Sequence, residues 1–224
     1  MRHTDREYER ELHNLRERLL YMGSRVIGMI DAGLDAFSDG HRALAEGLSG
    51  QDKEIDQLEL EIDEACLRIL AKRQPVASDL RFLTTVLKLV TDLERVGDLA
   101  VNLGERVLEL KGEVNLSPRS TILQMGSDAQ GMLKDALTAL EEKDAALAAD
   151  VLLRDDVVDA TYARIFPELL QLMMSDRTKV TAAQNLQSIA KYIERMADHA
   201  TNVAEMVVFM VRGDDLRHPQ VRMA

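Results

Sequence analysis

Apolar residues recur at intervals of three and four along most of the chain, the spacing of helices that bury one face. From Asp5 to about Phe37, Leu12, Leu15, Leu19, Met22, Val26, Met29 and Ile30 form one stripe. Ser38-Asp39-Gly40 interrupts it, with Asp39 placed to cap the next helix. A second stretch runs to Arg73 and carries Ile55, Leu58, Ile62, Cys66, Ile69 and Leu70 on one side. Gly47, Ser49 and Gly50 predict a kink or short break early in it, and Gln74-Pro75 ends it, because a residue before proline avoids helical angles. A third, from about Ala77 to Lys111, steps through Leu80, Leu83, Leu87, Val90, Leu93, Val96, Ala100, Leu103, Val107 and Leu110. That rhythm is close to the 3.5-residue period of bundled helices. Each stretch is roughly 33–35 residues, or about 50 Å of helix. Matched lengths and tight breaks predict an antiparallel three-helix bundle.

Gly112 through Ser120, with Pro118 inside it, is the one clear linker, and the pattern then starts again. Met22-Gly23 returns as Met125-Gly126, Ala43-Leu44-Ala45 as Ala146-Leu147-Ala148, and Asp52…Asp56 as Asp155…Asp159, all displaced by 103 positions. In the last helix the displacement becomes 100: Asp92-Leu-Glu-Arg-Val-Gly-Asp-Leu-Ala-Val-Asn102 aligns with Tyr192-Ile-Glu-Arg-Met-Ala-Asp-His-Ala-Thr-Asn202. A constant offset within helices that changes only between them is the mark of duplication with one shortened connection. The expected architecture is all-α: two tandem antiparallel three-helix bundles related by pseudo-twofold symmetry, residues 1–114 and 115–224. Pro167 falls inside the fifth helix and predicts a kink there.

Composition narrows the function. With 39 acidic against 28 basic residues the formal charge is −11, which argues against nonspecific nucleic-acid binding. A single cysteine, Cys66, excludes an internal disulfide and a secreted disulfide scaffold. The longest clean apolar run, Met206 to Val211, is far short of the ~20 residues of a membrane span. The charged N-terminus lacks the apolar centre of a signal peptide, so a cytoplasmic chain is expected.

Phased at 100° per residue from Leu93, the apolar seam of the third helix falls within roughly 80° of that direction. Glu94, Asp98, Asn102 and Glu105 fall at roughly 100–180°, and Glu194, Asp198, Asn202 and Glu205 repeat them. Each half is thus expected to present an acidic stripe on the outside of its bundle, away from both hydrophobic centres. A solvated helix face is one account of such a stripe. However, like charges four apart disfavour a helix, and the same unfavourable pair occurs twice. Two carboxylates and an amide oxygen on successive turns suit an oxygen-preferring or borderline cation, with further ligands supplied from elsewhere. His199, beside Asp198, has Leu99 as its counterpart, so it reads as an interface or surface residue before a ligand.

Enzyme chemistry finds no foothold: there is no phosphate-binding Gly-Lys-Ser/Thr loop, no Gly-x-Gly-x-x-Gly, no Gly-x-Ser-x-Gly and no cysteine pair. A ferritin-like dinuclear centre needs inward-facing Glu-x-x-His motifs, and neither repeat has one. Cys66 reads as a small core residue, and Met173, Met174, Met196, Met206 and Met210 as packing. A metal-storage or redox bundle and a helical scaffold remain on the residues alone.

The duplicated Glu-x-x-x-Asp motifs, in Asp-Leu-Glu-Arg-Val-Gly-Asp-Leu-Ala-Val-Asn and Ile-Glu-Arg-Met-Ala-Asp-His-Ala-Thr-Asn, resemble those of the PhoU proteins, accessory regulators of phosphate transport. Arg73-Gln-Pro-Val-Ala-Ser-Asp-Leu-Arg81, the opening from Tyr8 to Gly23 and the closing Asp215-Leu-Arg-His218 extend the resemblance over nearly the whole chain. It implies multinuclear iron or zinc clusters held by Glu94, Asp98, Glu194 and Asp198, with Asn102, Asn202 and His199 as further candidates at the sites. It also implies a cytoplasmic, dimeric protein without catalysis. Such a protein stands between the ATPase of a phosphate ABC transporter and a sensor histidine kinase, which it restrains when phosphate is plentiful. Leu99 stands where many members carry His, which implies a weaker first metal site.

Overall fold

In the computed structural model, residues 2–110 and 116–213 are described. They form six helices: α1 (Arg2–Asp39), α2 (Arg42–Lys72), α3 (Ala77–Glu109), α4 (Arg119–Glu142), α5 (Ala145–Ser175) and α6 (Val180–Arg212). A 3-10 turn, Arg177–Lys179, precedes α6, and no strand occurs among the described residues. The expected boundary between residues 114 and 115 and the Asp215–His218 motif lie outside the described residues.

Helices α1, α2 and α3 all pack on one another, as do α4, α5 and α6. The two bundles meet chiefly along α3 and α6 and secondarily along α1 and α4, so α2 and α5 lie outermost. One continuous core runs through all six helices, from Leu19 and Leu93 to Val151 and Ile193. The seam of α3 is as expected from Leu83 to Leu110, but Leu80 is exposed, one turn before the bundle closes over the helix. Cys66 is buried, and that burial pushes its thiol up to about 12, so it behaves as a small apolar residue. Met196, Met206 and Met210 pack in the core, whereas Met174 is 80% exposed on α5, a helix that also exposes Leu153, Val157 and Leu170 along its length.

The pseudo-twofold relation is visible in a reciprocal contact. Gly23 of α1 lies against Leu137 of α4, where an added Cβ would come within 2.5 Å of Leu137 Cδ1. Gly126 of α4 lies against Leu34 of α1, where it would come within 2.4 Å of Leu34 Cδ2. Each pair is the other displaced by 103 positions, so one contact is made twice across the axis.

Local expectations are corrected in three places. Helix α2 runs unbroken from Arg42 through Gly47, Ser49 and Gly50. These three are exposed while Ala45 and Leu48 are buried, and the burial outweighs a glycine cost of about 1 kcal/mol each. Asp39 belongs to the end of α1, and His41 occupies the N-cap of α2 without a side-chain bond. The side-chain cap appears instead in the second half, where Asp144 accepts from Ala146 N at 2.8 Å and Leu147 N at 3.1 Å. Finally, the three helices of the first half have 38, 31 and 33 residues, a wider spread than the 33–35 expected. Pro167 lies within α5 without ending it.

Candidate functional site

The acids of the α3 motif sit beside α2 rather than on the outer back of the bundle. Rotation by about 100° from the seam carries Glu94 to the edge where α2 packs. There its side chain is 15% exposed, and Glu194, its equivalent beside α5, is also 15% exposed. The expectation that the motif acids look away from both hydrophobic centres is therefore corrected for Glu94 and Glu194, whereas Asp98, with 42% of its side chain exposed, and the exposed Asp198 keep it. Glu94 and Glu194 each line a groove between two helices, partly desolvated. A helical wheel gives direction, and only the position of the neighbouring helix decides what that direction meets.

Facing Glu94 and Asp98, α2 contributes Asp52, Asp56, Glu59 and Asp63, spaced four, three and four residues apart so that they form one stripe. Burial pushes the Glu94 carboxyl above the usual range, and Asp98, Glu59 and Asp56 push it further, while Arg95 opposes them. Asp52 is raised by burial, then by Asp56 and Asp98. Glu59 is raised by burial, then by Asp63 and Asp56, with Asp98 adding to the rise. Asp63 is raised by burial. Arg95 is the cation of this groove, 3.4 Å from both Glu94 and Asp98. Gly97 faces Asp52: a Cβ there would stand 3.4 Å from Asp52 Oδ1, an ordinary contact, and Ala197 carries one at the equivalent position of α6.

The second groove repeats this plan with fewer acids. Asp155 and Asp159 of α5 occupy the positions of Asp52 and Asp56, but Tyr162 and Phe166 replace Glu59 and Asp63. Asp155 is raised by burial, then by Asp159 and Asp198. Asp198 is raised by burial, then by Glu194 and Asp159, with Lys191 and His199 opposing. Lys191 Nζ donates to both Glu194 oxygens, at 2.9 and 2.8 Å, and sits 5.3 Å from the centre of the Tyr162 ring.

Of the three additional candidates, two are engaged elsewhere. His199 Nδ1 lies 2.8 Å from Asp92 Oδ1, and Asn202 Nδ2 donates to the same oxygen at 3.1 Å, across the α3–α6 junction between the halves. His199 is thus an interface residue. Asn102 Nδ2 donates to Asp98 O at 2.8 Å, which ties it to its own helix below the first groove. The α2 and α5 acids went unrecognised as site residues, although Asp52…Asp56 and Asp155…Asp159 carry the same signal as Glu94…Asp98: a like-charged pair four apart, present in both halves.

Buried carboxylate oxygens without a hydrogen-bond partner test whether a cation fits. Asp52 Oδ1, Asp63 Oδ1 and Glu94 Oε2 are such atoms in the first groove, and Asp155 Oδ1 in the second. Desolvated anionic oxygens without hydrogen bonds suit an oxygen-preferring cation, and of these Glu94 Oε2 already has Arg95 Nε at 3.4 Å. Among the described residues no three His, Cys, Asp or Glu side chains close on a common point, so each groove is a row of donors rather than a finished cage.

The PhoU domain matches the chain twice, over residues 19–107 and 122–207, which includes both grooves. The chain belongs to the PhoU family. It is 39% identical over 218 residues to the phosphate-specific transport system accessory protein PhoU homolog of Pseudomonas aeruginosa, covering 96% of this chain and 90% of the relative. The homolog of Clostridium acetobutylicum is 37% identical over 211 residues, covering 94% and 96%. Among solved structures, PhoU from Pseudomonas aeruginosa superposes with a TM-score of 0.89 at 38% identity, covering 92% of this chain and all of that one. The phosphate transport system regulatory protein PhoU from Streptococcus pneumoniae gives 0.86 at 29% identity, covering 93% and 99%. These PhoU names describe accessory and regulatory proteins, not enzymes, in keeping with the absence of catalytic motifs in the sequence. Among the described residues no helix is long and apolar enough to cross a membrane.

Proposed function

We propose that the chain regulates phosphate uptake and the phosphate-starvation response. It acts as a cytoplasmic, homodimeric adaptor between the ATPase of a phosphate ABC transporter and a sensor histidine kinase, which it restrains when phosphate is plentiful. The observation that carries this proposal is the paired PhoU domain match over the two carboxylate grooves, together with relatives named as accessory proteins of phosphate-specific transport. Deletion of the gene is expected to leave phosphate-starvation genes switched on in phosphate-rich medium. Normal repression in the deletion strain would count against the adaptor.

A metal is part of the proposal. Glu94 and Asp98 would hold it with Asp52 and Asp56 in the first half, and Glu194 and Asp198 with Asp155 and Asp159 in the second. Oxygen-only donors favour iron over zinc, whose structural sites draw on nitrogen and sulfur. Bound cations would neutralise the mutual repulsion of the acids and fix α2 to α3 and α5 to α6. Elemental analysis of purified protein is expected to find metal that falls in Glu94→Ala/Asp98→Ala; unchanged content would remove Glu94 and Asp98 as ligands. A storage or redox bundle would instead oxidise ferrous iron with turnover, which the adaptor is expected not to do.

A further inference from the structure

Three cations gather where the first turns of α3 meet the ends of α4 and α6 beside α1. Arg16, Arg81 and Lys143 line a cavity of about 280 Å³ there, with Ser78, Asp79 and Phe82. Among the described residues the lining offers these cations a single carboxylate, Asp79. Among the described residues none of the three makes an ion pair or a side-chain hydrogen bond, and the Nε atoms of Arg16 and Arg81 are buried without a partner. Arg16 is held against the Phe82 ring, 5.0 Å from its centre. The one carboxylate in the lining, Asp79, already accepts from the Tyr8 hydroxyl at 3.1 Å.

The turn that carries Lys143 differs in residue between the halves. Lys143 adopts the left-handed conformation, φ 57°, which costs a residue with a side chain roughly 1–2 kcal/mol. Its counterpart in the first half is Gly40, φ 72°, which adopts the same turn without strain. This turn closes α4, with Lys143 N and Asp144 N both donating to Ala139 O, and it sets the Lys143 side chain at the cavity. The pseudo-equivalent position, about 30 Å along α1, shows the repeat without the pocket. Arg119, the counterpart of Arg16, donates to Phe37 O and Ser38 O and stacks on Phe37. Gly40 and Thr181 stand there in place of Lys143 and Arg81.

We propose that this cavity binds an oxyanion of the phosphate class. The guanidinium groups of Arg81 and Arg16 and the ammonium of Lys143 donate to its oxygens, and the positive end of the 33-residue helix α3 opens at Ser78 beside them. The cavity has room for phosphate with water or for a small phosphate monoester. Arg81 is about 20 Å along α3 from Glu94, so the pocket and the carboxylate groove are separate sites. The proposal is also independent of the regulatory role, which the deletion strain tests by itself.

Calorimetric titration of the full chain, freed of metal and dialysed into chelator-free buffer of fixed ionic strength, tests it. Metal removal prevents any groove-bound cation from capturing phosphate. Saturable binding of one inorganic phosphate per chain is expected, weakened about 10-fold in Lys143→Gly and at least as much in Arg81→Gln. Lys143→Gly is expected to melt at or above the parent temperature, because glycine relieves the left-handed strain, so misfolding cannot explain its loss of binding. Glycerol 3-phosphate distinguishes the sources: tighter inorganic phosphate supports the free ion, and a tighter monoester supports a phosphoryl group on an organic carrier. Absence of saturation, undiminished binding in both variants, or equal displacement by chloride would overturn the proposal.

Discussion

Around Glu94 and Asp98 the neighbouring helix supplies Asp52, Asp56, Glu59 and Asp63; around Glu194 and Asp198 it supplies Asp155 and Asp159, with Tyr162 and Phe166 completing the stripe. The first groove has Arg95 for relief, 3.4 Å from two acids, while the second has Lys191 donating to both oxygens of Glu194. One fold therefore holds two electrostatic environments, the first more strongly anionic. Leu99 in place of His implies a weaker first site, but His199 is turned to Asp92 across the halves. The asymmetry that matters lies on α2 and α5. Duplicated motifs are thus poor guides to relative strength when their partners sit on another helix.

The comparison presumes that the two frames are equivalent, and the largest test addresses that. Leu34→Ala and Leu137→Ala each remove the side chain that covers a glycine of the opposite half. Each is expected to cost about 2–4 kcal/mol, lowering the melting temperature by about 5–12 °C. Losses that differ by more than about 1 kcal/mol would break the symmetry of the scaffold.

The next test addresses the proposed metal. Asp155→Asn/Asp159→Asn is expected to release more bound metal, measured by elemental analysis, than Asp52→Asn/Asp56→Asn, because Glu59 and Asp63 remain in the first groove. Tyr162→Glu, which restores the acid of the first half, is expected to raise retention by the second. Equal losses would show that Glu59 and Asp63 contribute nothing to the difference.

In metal-free protein the same acids act against stability. Carboxyls raised in the folded state bind protons more readily there than in the unfolded chain, so their penalty is full above the folded values and is lost as pH falls through them. Burial raises Asp52, Glu59, Asp63 and Glu94 in the first half, but Asp155 and Asp198 in the second, with like charge adding to the rise of all but Asp63. Melting temperature is therefore expected to rise by a few degrees from neutral to mildly acidic pH. It falls again in stronger acid, where Asp144 and Asp176, lowered mainly by the bonds that cap their turns, become protonated. Asp52→Asn is expected to raise the neutral melting temperature by about 1–4 °C and to flatten the rise. A larger gain from Asp155→Asn would reverse the ranking of the grooves.

The smallest effect is expected at the junction. His199→Leu gives the second half the residue of the first and leaves Asp92 with Asn202. A loss of about 0.5–1.5 kcal/mol is expected by denaturant titration, with metal content unchanged. A fall in metal content would return His199 to the ligand set.

Much of the fold was legible because one periodicity recurred with few interruptions. The seam from Leu83 to Leu110 and the paired motifs gave helix faces and duplication directly. What failed was local or relational. Gly47 and Gly50 looked like a break because propensity sees the exposed face and not the burial of Ala45 and Leu48 one turn away. Asp39 reads as a cap because Ser38-Asp39-Gly40 carries a helix stop signal, whereas α1 continues through Asp39. At the site, Glu94, Asp98, Glu194 and Asp198 were found from their unfavourable spacing, while Asp52 and Asp155 were seen only as repeats. Their significance depends on which helix lies alongside, a property of the assembled bundle and not of any single segment. Asn202 was placed with Asp198 by its angle, yet a hydrogen bond to Asp92 in the other half takes it away.

The twofold exchange of Gly23 and Leu137 with Gly126 and Leu34 also bears on origins. Each half carries both knob and socket on one surface, which is the requirement for an isologous pair. The molecule is in this respect a dimer written as a single polypeptide. Fusion freed the copies to diverge separately, so a lysine could settle at one turn and a tyrosine beside one row of acids while the mating surface stayed the same.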